Sequence, residues 1–319
     1  MRAIVVSATG GPEVLAYTDH PDPEPNPGEV LVDVAASGVN FIDVYHRIGR
    51  YPLSLPFVPG NEGAGTVAAV GEDVTGLSVG DTVAWAGVMG SYAARAVVPA
   101  SQLLAVPEGI DAEQAAAVTL QGLTAHYLTH STYEVKPRDD VLVHAAAGGV
   151  GLLLVQIAKL RGARVIGTVS TEEKETLARQ AGADEVLRYD GFAEAVRDLT
   201  GSGVHVVYDG VGAATFDDSV ASLRPRGMMA LYGQASGPVP PVDPQVLARG
   251  GSLFLTRPSL GPYVATRDEL AWRASNIFGW VASGDLRVHI SARYPLSEAA
   301  QAHRDLEARR TTGKLLLLP

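Results

Sequence analysis

Over residues 1–105 the apolar positions come in short alternating runs broken by glycine and proline. Glu29–Ala35, Gly63–Val70, Thr82–Trp85 and Ala94–Val98 each read as a strand, with turns such as Pro25–Gly28 and Val79–Asp81 between them. The pattern predicts a partly closed β domain. It changes at Pro107. Asp111 with Gln114 three residues on has the form of a capping box, and Ala115–Thr129 continues it as a helix.

From Asp140 strands and helices alternate. Val141–Ala145 is an apolar run that ends in glycines, followed by a helix over Val150–Leu160 and a strand over Ala163–Val169. A helix at Glu172–Ala181, a strand near Glu185–Tyr189, strands at Val204–Tyr208 and Met228–Tyr232, and a helix near Ala213–Leu223 between them keep the same rhythm. Such alternation predicts a parallel sheet covered on both faces. Ser252–Thr256 reads as an edge strand. The chain closes with helices over Arg267–Ser283 and Ser297–Arg309 and the apolar Leu315–Leu318.

Composition narrows the function classes. At 319 residues two domains are expected, and the net charge of −10 argues against a nucleic-acid partner, because phosphate binding needs a basic surface. Cysteine is absent, so disulfides, thiolate catalysis and sulfur-ligated zinc are all ruled out, which fits a cytoplasmic protein. The N-terminal apolar run is broken by Gly10, Gly11 and Pro12 and reads as a strand and turn, not a signal peptide. No run of 18 apolar residues offers a membrane span.

The strongest local motif is Ala145-Ala146-Ala147-Gly148-Gly149-Val150-Gly151, which follows a strand and opens a helix as a dinucleotide fingerprint does. Gly148 lets the backbone approach a pyrophosphate, Gly151 lets the helix pack close to the strand, and the helix start offers N–H groups to the anion. Ala146 stands where the usual pattern has its first glycine. An NAD site places an acid at the end of the second strand to bind the ribose. Here that strand ends Gly167-Thr168-Val169-Ser170-Thr171, and Lys174 follows, which suits the 2′-phosphate of NADPH. Ser170 is equally read as the cap of the next helix, with Glu173 completing a capping box.

Several other residues carry candidate chemistry. His126 and His130 lie at i, i+4 but without a nearby acidic ligand, and are read as ordinary helix residues. His144 is read as a buried strand residue. Asp209-Gly210-Val211-Gly212 reads as a turn that starts the next helix, and in a dinucleotide fold is expected to border the nicotinamide ribose. Ser219, Ser222 and Ser252 have no His/Asp arrangement near them in sequence, which argues against a hydrolase.

Gly38-Val39-Asn40-Phe41-Ile42-Asp43, Pro59–Gly65, Val79-Gly80-Asp81, Gln121–Ala125, the glycine loop and Tyr294-Pro295-Leu296 together resemble the zinc-free quinone oxidoreductases of the medium-chain dehydrogenase/reductase superfamily, the zeta-crystallin-like group. The resemblance runs nearly end to end. It implies an α/β fold: a GroES-like β catalytic domain at 1–120, a Rossmann doubly wound parallel sheet at 121–259, and a return to the catalytic domain at 260–319. It further implies NADPH contacts at Asn40, Gly148, Gly149, Val150, Lys174, Tyr189 and Arg309, a threonine near the nicotinamide at Thr124, and Tyr45 and Tyr51 along the acceptor cleft between the domains. Zinc alcohol dehydrogenases of the superfamily carry a Cys near position 40 and a His near 61. Here both are asparagine, so no metal is expected.

The implied activity is hydride transfer from NADPH to a small quinone, with a homodimer formed through the Rossmann domains. An enone or 2-alkenal reductase is the rival within the same chemistry. A non-enzymatic NADPH-binding protein, structural or RNA-associated, is the rival of another class.

Overall fold

The computed structural model describes residues 1–319, which divide into two compact units. One comprises Met1–Leu123, Val264–Gly284 and Val288–Pro319; the other comprises Thr124–Tyr263 and Asp285–Arg287.

The first unit is built mainly on antiparallel strands, of which β3, β4, β5 and β15 are largely buried along their length. β1 (Arg2–Val5) pairs with β2 (Ala16–Asp19), and the long β3 (Glu29–Val39) leads into the short helix α1 (Phe41–Arg47). β4 (Glu62–Val70), β5 (Thr82–Ala86), β6 (Arg95–Pro99) and β7 (Leu104–Ala105) follow, then the helix α2 (Ala112–Tyr127). β3 is the spine of this sheet: it pairs antiparallel with β4, with β6 and with the C-terminal strand Lys314–Leu318. Val30, Val32, Val67, Val83, Trp85 and Val98 fill the interior between these strands. The capping box at Asp111 is present, since its carboxylate accepts the Gln114 N–H at 2.7 Å, but the helix begins at Ala112 and ends in a wider turn over Leu128–Thr132.

The second unit is a six-stranded parallel sheet. Its elements are β8 (Asp140–Val143), α3 (Gly149–Leu160), β9 (Arg164–Thr168), α4 (Glu172–Gln180), β10 (Glu185–Leu187), α5 (Phe192–Thr200), β11 (Val204–Asp209), α6 (Phe216–Ala221), β12 (Leu223–Leu231), α7 (Gln245–Arg249), β13 (Phe254–Thr256) and α8 (Leu260–Tyr263). The strand order β10-β9-β8-β11-β12-β13 reverses direction at β8, which is the doubly wound arrangement expected from the alternating pattern. Strands buried on both faces need continuous apolar runs, and Val141, Leu142 and Val143 are fully buried here.

The chain then returns to the first unit with α9 (Arg267–Ser283), β14 (Ile290–Pro295), α10 (Ala299–Glu307) and β15 (Lys314–Leu318). Thr266 caps α9 by accepting the Glu269 N–H at 3.2 Å, and Gly284 ends it at a φ of 80°.

Some expectations are corrected. The cap of α4 is Thr171, whose hydroxyl accepts the Lys174 N–H at 3.3 Å, not Ser170. α6 is shorter than its pattern, and β12 begins as early as Leu223. Ser252 is not in the edge strand, because it turns the chain at a φ of 60°. His144 lies one residue past β8.

Candidate functional site

In the second unit β8 runs into a tight turn at His144–Ala147, where Ala145 takes a left-handed φ of 49°. Gly148 is the residue before α3; it is extended, and no side chain caps the helix. The first turn also holds no acid. The opening N–H groups of this 12-residue helix are therefore left for an anion. A Cβ at Gly148 would stand 3.1 Å from the Ala145 carbonyl oxygen, whereas one at Gly151 would collide with it. Gly151 thus permits the helix to pack against the turn, and Gly148 keeps the outer face of the loop open. Gly149 and Val150 form the first helical positions. These residues suit a dinucleotide pyrophosphate.

Tyr189 reaches the same loop: its hydroxyl accepts the Ala145 N–H at 3.2 Å. At the end of β9 the Lys174 ammonium lies 3.5 Å from the Ser170 hydroxyl, and no carboxylate stands in the Thr168–Thr171 segment.

A buried polar network backs the loop. His144 is fully buried, with Nδ1 2.7 Å from the Thr168 hydroxyl and Nε2 2.8 Å from the Ser219 hydroxyl. Burial pushes the imidazole below its usual range, against the opposing pull of Asp209 and Asp218. Asp209 accepts the Val211 and Gly212 N–H groups at 2.7 and 3.0 Å and the Thr215 and Ser219 hydroxyls at 2.7 and 3.1 Å. Ser219 therefore does meet a His and an Asp, contrary to the expectation from sequence. All three side chains have 0% exposure, so no ester or amide reaches the hydroxyl. The network fixes the turn after β11.

His126 and His130 stack with ring centroids 4.0 Å apart, and no group of three or more His, Cys, Asp or Glu side chains is arranged to hold a metal ion.

In the first unit Asn40 precedes α1, and its amide is saturated. Nδ2 donates to the Glu62 carboxylate at 2.9 Å and to the Gly38 carbonyl at 3.2 Å. Oδ1 accepts from Lys314 Nζ at 2.9 Å and from Gln121 Nε2 at 3.1 Å. Lys314 and Glu62 also contact each other directly, and a Cβ at Gly38 would collide with both. Asn40 is thus the centre of a rigid lattice, with no amide position left over. Glu62 and Gln121 lie in the Pro59–Gly65 and Gln121–Ala125 motifs but were given no role from sequence, and Lys314 was missed; its one local signal was a lysine opening the apolar Leu315–Leu318 run.

Asp43, one turn into α1, accepts Asn61 Nδ2 at 2.8 Å, the Asn40 N–H at 3.0 Å and the Tyr92 hydroxyl at 3.3 Å. Burial outweighs these donors and raises its carboxyl to about 6. The Tyr92 hydroxyl lies 3.1 Å from His303 Nε2, and Arg47 Nη1 lies 3.1 Å from His303 Nδ1. Burial, then Arg47, pushes His303 down to about 3. Arg47 is itself held by a two-pronged bond to Glu307 at 2.9 and 2.8 Å.

Tyr45 and Tyr51 come together edge to face, with ring centroids 5.7 Å apart. The His46 ring lies 6.2 Å from that of Tyr51. Tyr51 is 37% exposed and Tyr45 is buried, with the Arg50 guanidinium 5.1 Å over its ring. Thr124 is buried in α2. Arg309 is exposed just past α10 at a φ of 56°.

Residues 26–108 match the family described as alcohol dehydrogenase GroES-like domain, and residues 149–261 the one described as zinc-binding dehydrogenase. A quinone oxidoreductase of Pseudomonas aeruginosa is 49% identical over 100% of this chain and 99% of its own length. A 2-haloacrylate reductase of a Burkholderia species is 43% identical over 100% and 99%. A mycobacterial protein solved in complex with NADPH superposes with a TM-score of 0.98 at 53% identity, each chain being covered in full. With the Rossmann strand order, the glycine loop and the Asn40 helix in place, the chain belongs to the quinone oxidoreductase family of medium-chain dehydrogenases/reductases.

Proposed function

We propose that the chain is an NADPH-dependent oxidoreductase that reduces small quinones by zinc-independent hydride transfer. The observation that carries the reading is the edge-to-face pair of buried Tyr45 and 37%-exposed Tyr51, on and beyond a helix opened by the saturated Asn40 lattice. This face is aromatic, with two tyrosine rings edge to face. It suits a planar acceptor whose reduced oxygen is stabilised by hydrogen bonds rather than by a Lewis acid. Asparagine at positions 40 and 61 and the lack of cysteine support independence from zinc.

NADPH supplies the hydride when bound. Gly148, Gly149 and Val150 are assigned to its pyrophosphate, and Ser170 and Lys174 to the 2′-phosphate. Tyr189 and Arg309 are assigned to the adenosine end and Thr124 to the nicotinamide end. Asn40 enters through its fixed position, since its hydrogen bonds are already used within the protein. The test is NADPH oxidation with benzoquinone: turnover supports the reading, and its absence refutes it.

A second reading is favoured by one observation, the similarity to a 2-haloacrylate reductase. Conjugate reduction of an enone or alkenal also leaves charge on an oxygen and uses the same groups.

The assembly proposed is a homodimer through β13. This strand ends the sheet, and Phe254 on it is 56% exposed, an open edge that invites pairing. A monomer mass by light scattering at micromolar concentration overturns it. No helix is long and apolar enough to cross a membrane, and the lack of cysteine suits the cytoplasm.

A further inference from the structure

We propose that His46 is a further catalytic residue: its neutral imidazole donates the Nε2–H to the acceptor oxygen that takes up negative charge on reduction. The inference rests on the acceptor-reducing reading above and adds to it a specific donor.

The geometry begins at Asp43. Its buried Oδ1 takes one N–H of Asn61 at 2.8 Å, which fixes the orientation of that amide. The same nitrogen lies 3.3 Å from His46 Nδ1. An amide nitrogen only donates, so Nδ1 must accept, and the ring proton is left on Nε2. Nε2 itself has no hydrogen-bond partner in the protein. The ring is half-buried and sits edge-on to Tyr51, beside the tyrosine pair assigned to the acceptor. Desolvation lowers the imidazole below its usual value, and a second proton would face the Asn61 N–H. The group is therefore held neutral, with one donor pointed away from its anchor.

The step balances without an added reactant. The hydride brings two electrons to the acceptor and leaves the cofactor oxidised. The acceptor oxygen gains the charge and takes its proton from solvent water. His46 keeps its own proton and gives only a hydrogen bond, and Asn61 acts on it as a positioning residue.

The variants separate this role from simple packing. His46→Phe keeps a ring against Tyr51 but removes the donor. His46→Gln places an amide N–H near the Nε2 position, and His46→Asn places one near Nδ1. With the acceptor that the wild type reduces fastest, His46→Phe is expected to lower kcat about a hundredfold or more, the lower end for loss of one such donor. NADPH affinity is expected to be unchanged. His46→Gln should recover most of the rate and His46→Asn should not. Long-range nitrogen–proton NMR of the wild type at pH 7, with the His46 signal assigned by its loss in His46→Gln, should show the Nε2–H tautomer. An undiminished rate in His46→Phe, equal rescue by Asn and Gln, or an Nδ1–H tautomer would each overturn the proposal. A failure of the quinone reading shows in the wild type, as alkenal turnover without quinone turnover. A failure of the His46 role shows only in the variants and the spectrum.

Discussion

Lys314 at the start of β15 and Glu62 at the start of β4 form an ion pair whose side chains are 1% and 0% exposed. Both strands flank β3, and Gly38 on β3 leaves the space that the two side chains fill. Asn40 bonds to each member, so the pair holds the start of α1 in place. Removing one partner strands a buried charge. Lys314→Met is expected to cost about 3–5 kcal/mol of unfolding free energy. Lys314→Met combined with Glu62→Gln should cost less than the single change to Lys314, since the lone charge is gone. Urea denaturation of the two variants checks this, and an additive loss contradicts it.

The proposed 2′-phosphate site beside the end of β9 makes a prediction about cofactor choice. Lys174→Ala is expected to weaken NADPH binding by about 1.5–3 kcal/mol, the scale of a hydrogen bond to a charged group. NADH binding should be nearly unchanged. Fluorescence titration of both cofactors measures the difference, and equal losses for the two would contradict the assignment.

The two loop glycines should behave differently. Gly148 has an extended backbone that other residues adopt, so Gly148→Val should fold but fail to bind NADPH, because the branched side chain would fill the proposed pyrophosphate position. Gly151→Ala should instead lower the melting temperature, because its Cβ meets the Ala145 carbonyl. Melting curves recorded with and without NADPH distinguish them.

His303 links stability to pH. Its ring is held near 3 in the fold, against 6.5 for an ordinary imidazole. Above pH 6.5 both states are neutral and its contribution is complete. As the pH falls from 6.5 toward 3 the unfolded chain binds a proton that the folded chain refuses. Stability then drops by up to about 1.4 kcal/mol per pH unit. Asp43, raised from 3.8 to about 6, acts in the opposite sense and stabilises the fold as the pH falls through that window. His303→Gln should therefore show a shallower loss between pH 6.5 and 4 in denaturation midpoints. An unchanged slope would contradict the buried neutral ring.

What was legible in the sequence follows from the range of the interactions. The strands of the second unit stand out because both faces are buried, which leaves apolar runs such as Val141–Val143 between Asp140 and His144. Short helices are less visible: α1 and α5 span 7 and 9 residues, too few turns for a strong periodic signal, although Phe192 and Val196 are spaced as one buried face. The cap of α4 fell to Thr171 because adjacent Ser and Thr residues offer the same chemistry one position apart. The polar networks were hidden for another reason. Asn40 and Lys314 are 274 residues apart and His144 and Ser219 are 75 apart, so no spacing rule connects them. Only the fold brings each pair together.

The central claim is reduction of a quinone by NADPH without a metal. The direct measurement is steady-state NADPH oxidation by chelator-treated protein of verified zinc content, with benzoquinone, naphthoquinone, a 2-alkenal and an alcohol/NADP pair compared by kcat/KM. The account predicts turnover of both quinones that survives chelation, with no alcohol oxidation. Rapid alkenal reduction without quinone turnover, activity that depends on zinc, or no turnover despite NADPH binding would contradict it.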